Sequence, residues 1–173
     1  MRDDTFLENR RLIFEYISNN PGAHQRKISR DLNMHYSTLR YHLDYLEEKG
    51  IIVSQMENNL KIYFASGKLS DEEKKLTTLL QQKRFRDIIL VVIDDPGSTS
   101  SQISDKLSVK PTTISKYMNL LEDRGVLYHV KTGREKRYFI NDEKSVIRLL
   151  MAYKKSFWDS FVDNVLVLYM ERE

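Results

Sequence analysis

One stretch of this sequence occurs twice, and that repeat constrains the fold more than any other feature. Pro21-Gly22 recurs as Pro96-Gly97, 75 residues later, and the same offset holds without a gap as far as Phe64 and Phe139. Further identical pairs are Ile28/Ile103, Ser29/Ser104, Leu32/Leu107, Thr38/Thr113, Leu46/Leu121, Glu47/Glu122, Gly50/Gly125, Lys61/Lys136, Tyr63/Tyr138 and Phe64/Phe139. Each copy is shorter than an ordinary domain, so we expect two copies of one small unit plus additional segments.

Each copy predicts three helices followed by a β-hairpin. In the first copy, apolar residues at helical spacing form three groups: Leu12, Ile13 and Ile17; Ile28 and Leu32; and Leu39, Leu43 and Leu46. Gly50 is placed to end the third helix, and residues 51–53 and 62–64 have the character of paired strands. The second copy predicts the same elements, with N-cap residues at 98–100, Pro111 in the first turn of the third helix, and strands at 126–131 and 136–140.

A short helix, a tight turn, a longer helix and a hairpin form the layout of a winged helix. The segments STLRYHLDYLEEKGII and TTISKYMNLLEDRGVL resemble the recognition helix and following strand of ArsR- and MarR-like regulators. With KRFRDIIL and YKKSFWDSFVDN included, the whole chain resembles archaeal transcriptional regulators that carry two winged helices per polypeptide. The resemblance implies sequence-specific DNA binding in which no reaction is catalysed.

The expected fold is mainly α with small β-hairpin wings (α+β). Two tandem winged helix-turn-helix domains, residues 1–67 and 83–141, are joined by a helical connector at 68–82. Ser70 and Glu73 form a capping box at the start of that connector. A C-terminal amphipathic helix is expected within residues 142–173.

The second copy carries the stronger prediction of a DNA-binding surface. Residues 83–141 have eleven basic and seven acidic side chains, whereas residues 1–67 have nine of each. A recognition helix in the major groove presents its outer face to base edges, and cations on the wing can contact phosphates. The predicted contacts are Lys110, Thr112, Thr113, Ser115, Lys116 and Asn119 on the helix, and Lys131, Arg134, Lys136 and Arg137 on the wing.

The first copy predicts a weaker DNA contact. Its wing contains Lys61 as the single cation and also Glu57. Bases would be read by its recognition helix, through Tyr36, Ser37, Thr38, Arg40 and Tyr41. The alternative is that this copy has become a packing or partner-binding surface, as in tandem winged-helix scaffolds of chromosome or transcription complexes.

The tail from Ser145 to Tyr169 predicts a helix with a broad apolar face that must be buried. We expect this face to form a homodimer seam, and a dimer would favour a two-fold symmetric DNA site. The predicted interface residues are Leu150, Tyr153, Phe157, Trp158, Phe161, Val165 and Leu168. Two alternatives are packing on the same chain, and an effector pocket lined by Tyr153, Phe157 and Trp158.

Other classes of protein are not favoured by the sequence. There is no cysteine, no phosphate-binding loop, no dinucleotide fingerprint and no nucleophile motif, so neither an enzyme nor a cofactor is predicted. His24, His35 and His42 lie in one copy, but without a carboxylate at ligand spacing they predict no metal site. The N-terminus has no signal-like apolar stretch and residues 157–170 are too short to span a membrane, so we expect a cytoplasmic, nucleoid-associated protein.

Overall fold

Two separately folded units correspond to the two copies of the repeat. The computed structural model describes the backbone of residues 2–153 and 160–172 and the side chains of residues 5–153 and 162–171. The chain divides into Met1–Thr78 and Leu79–Glu173, here called the first and the second unit.

The first unit has the predicted order of three helices and a hairpin. Its elements are α1 (Arg2–Asn19), β1 (Ala23–His24), α2 (Gln25–Asp31), α3 (Tyr36–Glu48), β2 (Ile52–Glu57), β3 (Leu60–Ala65) and the larger part of α4 (Asp71–Gln81). The three strands form an antiparallel sheet in the order β1-β3-β2. The core is made of Ile13, Ile17, Ala23, Ile28, Leu39, Leu43, Leu46, Ile52 and Tyr63. Leu12, which the helical spacing grouped with Ile13 and Ile17, is exposed.

The second unit repeats this order, and its described residues contain two further helices. Its elements are α5 (Lys83–Asp94), α6 (Ser100–Leu107), α7 (Pro111–Asp123), β4 (Leu127–Thr132), β5 (Glu135–Ile140), α8 (Glu143–Ala152) and α9 (Ser160–Arg172). Every residue of α5 from Phe85 to Ile93 is buried. A helix that is buried on all sides needs neighbours on all sides, and α9 packs against α5 to supply one of them.

The turn between the second and third helices has the same construction in both units. The hydroxyl of Ser29 donates to the carbonyl of Met34 at 2.7 Å, and that of Ser104 donates to the carbonyl of Val109 at 2.6 Å. Both turns also contain a left-handed residue, Asn33 and Ser108. A hydroxyl that closes the turn explains why serine stands at this position in both copies.

Both hairpins close with two-residue turns. Asn58 and Asn59 both have positive φ between β2 and β3, which is the type I′ geometry that matches strand twist. Gly133 has φ +65° and precedes Arg134 between β4 and β5. The second turn therefore lies at Gly133-Arg134.

The connector helix α4 is separate from α5, because Gln82 between them is extended. One helix prediction needs correction. The tail is not one helix from Ser145 to Tyr169, since α8 ends at Ala152 and Tyr153 has non-helical backbone angles. The capping box at Ser70 is confirmed by reciprocal hydrogen bonds with Glu73 of 2.8 and 3.2 Å.

Candidate nucleic-acid interface

The recognition helix of the second unit, α7, combines a buried apolar face with an exposed polar one. Ile114, Met118 and Leu121 are buried. The predicted contacts lie on the other side: Lys110, Thr112, Ser115, Lys116 and Asn119 are exposed, and Thr113 is half-buried. Pro111 is the first helical residue, and no side chain caps the N–H groups of the first turn. The positive end of a 13-residue helix is thus open to an anion.

The wing of the second unit presents cations on one face of its hairpin. Lys131 and Lys136 lie directly opposite each other in the strand register, and Arg134 lies in the turn. Like charges in such a pair repel, so nothing within the hairpin accounts for their placement. An anion held between them would remove that repulsion.

Five exposed cations of the second unit take part in none of the ion pairs among the described side chains. They are named here the cationic face and are Lys110, Lys116, Lys131, Arg134 and Lys136. By contrast, Lys106 of the same unit pairs with Asp94 and Asp95 at 3.7 and 3.2 Å. Unpaired ammonium and guanidinium groups beside a recognition helix are suited to phosphate.

Arg137 differs from the rest of the predicted wing contacts. Its Nη1 donates to the carbonyl oxygen of Gly97 at 3.2 Å, and its Nη2 lies 3.7 Å from Glu135 Oε2. The guanidinium therefore holds the hairpin to the loop that precedes α6. Its contact with DNA stays a prediction.

The recognition helix of the first unit, α3, has more of its polar groups engaged within the unit. The Tyr36 hydroxyl donates to Gln25 Oε1 at 2.9 Å, and His35 caps the helix by accepting from the backbone N–H of Ser37. Thr38 is half-buried, and Arg40 is exposed with Asp44 3.9 Å away.

Tyr41 stands where the second unit has Lys116. It contacts Phe6 of α1, with ring centroids 5.9 Å apart, and the adjacent His42 at 5.3 Å. The first unit therefore has an aromatic cluster at the position of a cation.

The wing of the first unit is neutralised by a carboxylate at the end of α3. Glu47 accepts hydrogen bonds from Ser54 Oγ at 2.5 Å and from Lys61 Nζ at 2.7 Å. Burial acts to raise the pKa of Glu47, but the bonds from Lys61 and Ser54 outweigh it and hold the pKa below its ordinary value. A carboxylate that stays ionised keeps the one wing lysine of this unit paired.

The equivalent carboxylate of the second unit has a different partner. Glu122 contacts His129 Nδ1, and His129 occupies the position of Ser54. Glu47, Ser54, Glu122 and His129 were not predicted as part of a site. A signal was available, because Glu47/Glu122 and Lys61/Lys136 are both identical pairs of the repeat.

The predicted dimer residues fall into three groups. Leu150 and Val165 are fully buried within the second unit and Tyr153 is half-buried, so the first two cannot meet a partner. This supports packing on the same chain for part of the apolar stripe. Phe157, Trp158 and the Phe161 side chain lie outside the described residues, as does most of the alternative effector pocket. Leu168 is 43% exposed, and beside it on α9 Val167 and Met170 are 56% and 63% exposed.

The three histidines of the first unit have separate surroundings. His24 Nδ1 caps α2 by accepting from the N–H of Lys27, His35 caps α3, and His42 is buried. Within residues 2–153 and 160–172, no group of three or more histidine, aspartate or glutamate residues has the geometry to hold a metal ion. In the same part of the chain, no helix combines the length and the apolar character needed to cross a membrane.

Comparison with known proteins finds two matching families. Residues 7–76 match a family described as an N-terminal HTH domain, and residues 86–128 match the winged helix-turn-helix DNA-binding family. A protein of Methanocaldococcus jannaschii, described as an uncharacterised HTH-type transcriptional regulator, is 29% identical over 135 residues. That match covers 78% of this chain but 34% of the relative, so the chain spans about a third of its length.

Solved structures with related folds include bacterial regulators. One is described as a predicted DNA-binding transcriptional regulator from E. coli, with 12% identity, a TM-score of 0.42, and coverage of 47% of this chain and 85% of that one. Another is FabT of Streptococcus pneumoniae in complex with DNA, with 20% identity, a TM-score of 0.35, and coverage of 76% and 82%. Both TM-scores are below 0.5, so nothing about this chain follows from them.

Proposed function

We propose that this chain, which carries two helix-turn-helix domains and is homologous to an archaeal HTH-type transcriptional regulator, is a transcriptional regulator that binds double-stranded DNA. The observation that carries the proposal is the cationic face of the second unit. Among the described side chains, five cations that pair with no carboxylate lie on the second unit: Lys110 at the N-cap of α7, Lys116 on its exposed face, and Lys131, Arg134 and Lys136 on the wing. No catalytic role is assigned to any residue.

The second unit would bind with α7 in the major groove. Thr112, Ser115 and Asn119 are exposed donors and acceptors of a size that reaches base edges. Lys110 and the open first turn of α7 would meet a phosphate, and the wing cations would meet the backbone or the minor groove. Phosphate contacts position the protein, and the α7 side chains supply sequence preference.

The test is a salt series on the full chain with mixed genomic duplex fragments. Removing two cations in Lys116→Ala/Arg134→Ala should weaken binding and lower the steepness of log K against log salt by about 1.8, because each lost phosphate contact contributes about 0.9. The matched control, Lys144→Ala/Arg148→Ala, removes the same charge from α8. The proposal fails if wild type does not bind at low salt, or if both double variants lose the same affinity.

A second candidate function applies to the first unit. The tie between Lys61 and Glu47 and the aromatic cluster at Tyr41 leave it without the cations that the second unit has. These observations favour a protein-binding role for this unit, although Ser37 and Arg40 remain available to bases. Loss of sequence preference in Arg40→Ala would assign the first unit to DNA.

The chain would act as a homodimer. Leu168, with the neighbouring Val167 and Met170, is the exposed apolar part of α9 and is the surface we assign to the seam. Two-fold symmetry would then place half-sites about 10 bp apart or at a multiple of that spacing. A regulator of this kind would reside in the cytoplasm with the nucleoid.

A further inference from the structure

Five equivalent positions at the wing and the end of the recognition helix differ between the units in two residues, and we argue that this difference decides what the wing lysine does. Glu47, Lys61 and Tyr63 are matched by Glu122, Lys136 and Tyr138, so the carboxylate, the lysine and the tyrosine are retained. Ser54 is matched by His129 and Met56 by Lys131. Strand register places the equivalent residues on one face of each hairpin.

In the first unit the wing lysine is held by its own unit. Lys61 Nζ lies 2.7 Å from Glu47 Oε2 and 5.5 Å from the centroid of the Tyr63 ring. The small Ser54 side chain bonds the other carboxylate oxygen, Oε1, and leaves room for the ammonium.

In the second unit a histidine stands in the place of Ser54. His129 Nδ1 contacts Glu122 Oε1, and the imidazole lies 5.9 Å from the Tyr138 ring. Glu122 and His129 are both mostly buried, with side-chain exposures of 20% and 26%. Lys136 is exposed, and none of the ion pairs among the described side chains includes it.

We infer that His129 is a positioning residue that keeps Glu122 occupied and thereby leaves Lys136 available to bind phosphate. With serine at this position, Glu122 would draw Lys136 inward as Glu47 draws Lys61. This inference rests on the proposed function for its consequence, DNA affinity, but the release of the lysine is a property of the free protein. The residue at position 54 or 129 thus sets whether the wing lysine of its unit is available to bind an anion.

The first experiment needs no DNA and measures how fast each lysine of the full chain is acylated by a low concentration of an amine-reactive ester. Peptide mass spectrometry resolves Lys61 from Lys136. A lysine side chain held in an ion pair reacts more slowly, because it must leave the carboxylate before it can attack the ester. In wild type Lys136 should react faster than Lys61 by roughly two- to fivefold, the range expected for one exposed ion pair.

Variants decide the cause. His129→Ser should lower the acylation rate of Lys136 to that of Lys61. Adding Glu122→Gln should restore the rate of Lys136, since no carboxylate then remains to hold the lysine. Ser54→His should make Lys61 react faster. Glu122→Gln alone is the control and should leave Lys136 unchanged. The inference is overturned if His129→Ser does not slow Lys136, or if the loss persists in His129→Ser/Glu122→Gln.

The second experiment measures DNA affinity of the same variants across salt. His129→Ser should lower the steepness of log K against log salt by about 0.9, the contribution of one phosphate contact, and His129→Ser/Glu122→Gln should recover it. Lys136→Ala should have this effect in wild type and no further effect in His129→Ser. Absence of wild-type DNA binding would refute the proposed function, whereas the acylation rates would still decide the inference.

Discussion

At the scale of single residues, His42 makes the first unit sensitive to pH. Its side chain is 0% exposed, packs edge-on against the rings of Phe6 and Tyr41, and has no hydrogen-bond partner among the described residues at either nitrogen. Burial lowers the pKa of His42, and the positive charge of Arg10 lowers it further. Folding therefore favours the neutral form of the His42 ring.

The direction of the pH effect follows from that shift. The ordinary pKa of an unfolded histidine is about 6.5, so well above that pH the ring is neutral in both states. As the pH falls below 6.5, the unfolded chain binds a proton that the folded unit does not. The free energy of unfolding should then fall by up to about 1.4 kcal/mol per pH unit. His42→Phe should reduce this loss, because it removes the titration and two unsatisfied nitrogens.

Amide exchange of α3 peptides at pH 7.5 and 5.5 checks this prediction within the first unit. The pKa of His24 is also lowered, first by burial and then by nearby cations such as Lys27, so it adds a similar dependence. His24→Asn is the matched variant, because asparagine can still cap α2. Equal pH dependence of α3 exchange in wild type and His42→Phe would refute the role of His42.

At the scale of elements, the loop that joins the first helix to the second is held to the sheet by a glycine in each unit. Gly97 has φ +88°, its N–H donates to the carbonyl of Tyr138 at 2.8 Å, and a Cβ there would lie 3.3 Å from Phe139 Cζ. Gly97→Ala should lower the free energy of unfolding of the second unit by about 1–2 kcal/mol for backbone strain, with an added loss from the ring contact.

Comparison with Gly125→Ala separates the cost of backbone strain from the cost of the ring contact. Gly125 also has positive φ, +70°, but a Cβ there would meet nothing within 4 Å. Urea unfolding should show the smaller loss for this variant. Equal losses would mean that the Phe139 ring moves aside without cost.

The sequence predicted elements well where local chemistry defines them. Thr99, one of the suggested caps, forms a capping box with Gln102, and Pro111 is the first residue of α7. The sequence pattern missed β1, because a strand of two residues has no periodicity and forms only by pairing with the distant β3. It also merged α8 and α9, since the apolar spacing continues across the break. Helix ends that lack a strong stop signal are set by packing.

The candidate site was predictable by position but not by electrostatic state. Exposure of Lys116 and Arg134 follows from the spacing of buried residues in α7 and from the hairpin turn. The pairing of Lys61 with Glu47 does not, because the two residues are distant in sequence and the rotamer depends on Ser54. The contrast between the paired Lys61 and the unpaired Lys136 therefore depends on tertiary contacts that the sequence pattern does not show.

At the scale of the whole molecule, the proposed association of two copies depends on α9. Val167 and Leu168 are exposed apolar residues of α9, and a second copy would bury both. Val167→Glu/Leu168→Glu should convert a dimer into a monomer, because two carboxylates would be desolvated at the seam. Light scattering coupled to size exclusion measures the change.

Met56→Glu/Leu60→Glu serves as the control for that experiment. It places the same charges on exposed apolar residues of the first wing and should leave the mass unchanged. If the wild type is a monomer, or if both double variants remain dimers, α9 is not the dimer interface.

The pairing of Lys131 with Lys136 has a consequence for the stability of the second wing. In the free protein it is a point of local frustration, since two native neighbours oppose each other. The first unit lacks this conflict, because Met56 stands opposite Lys61. If the second wing binds DNA as proposed, a phosphate between Lys131 and Lys136 would relieve this repulsion, so the hairpin should be more stable in the complex than in the free protein.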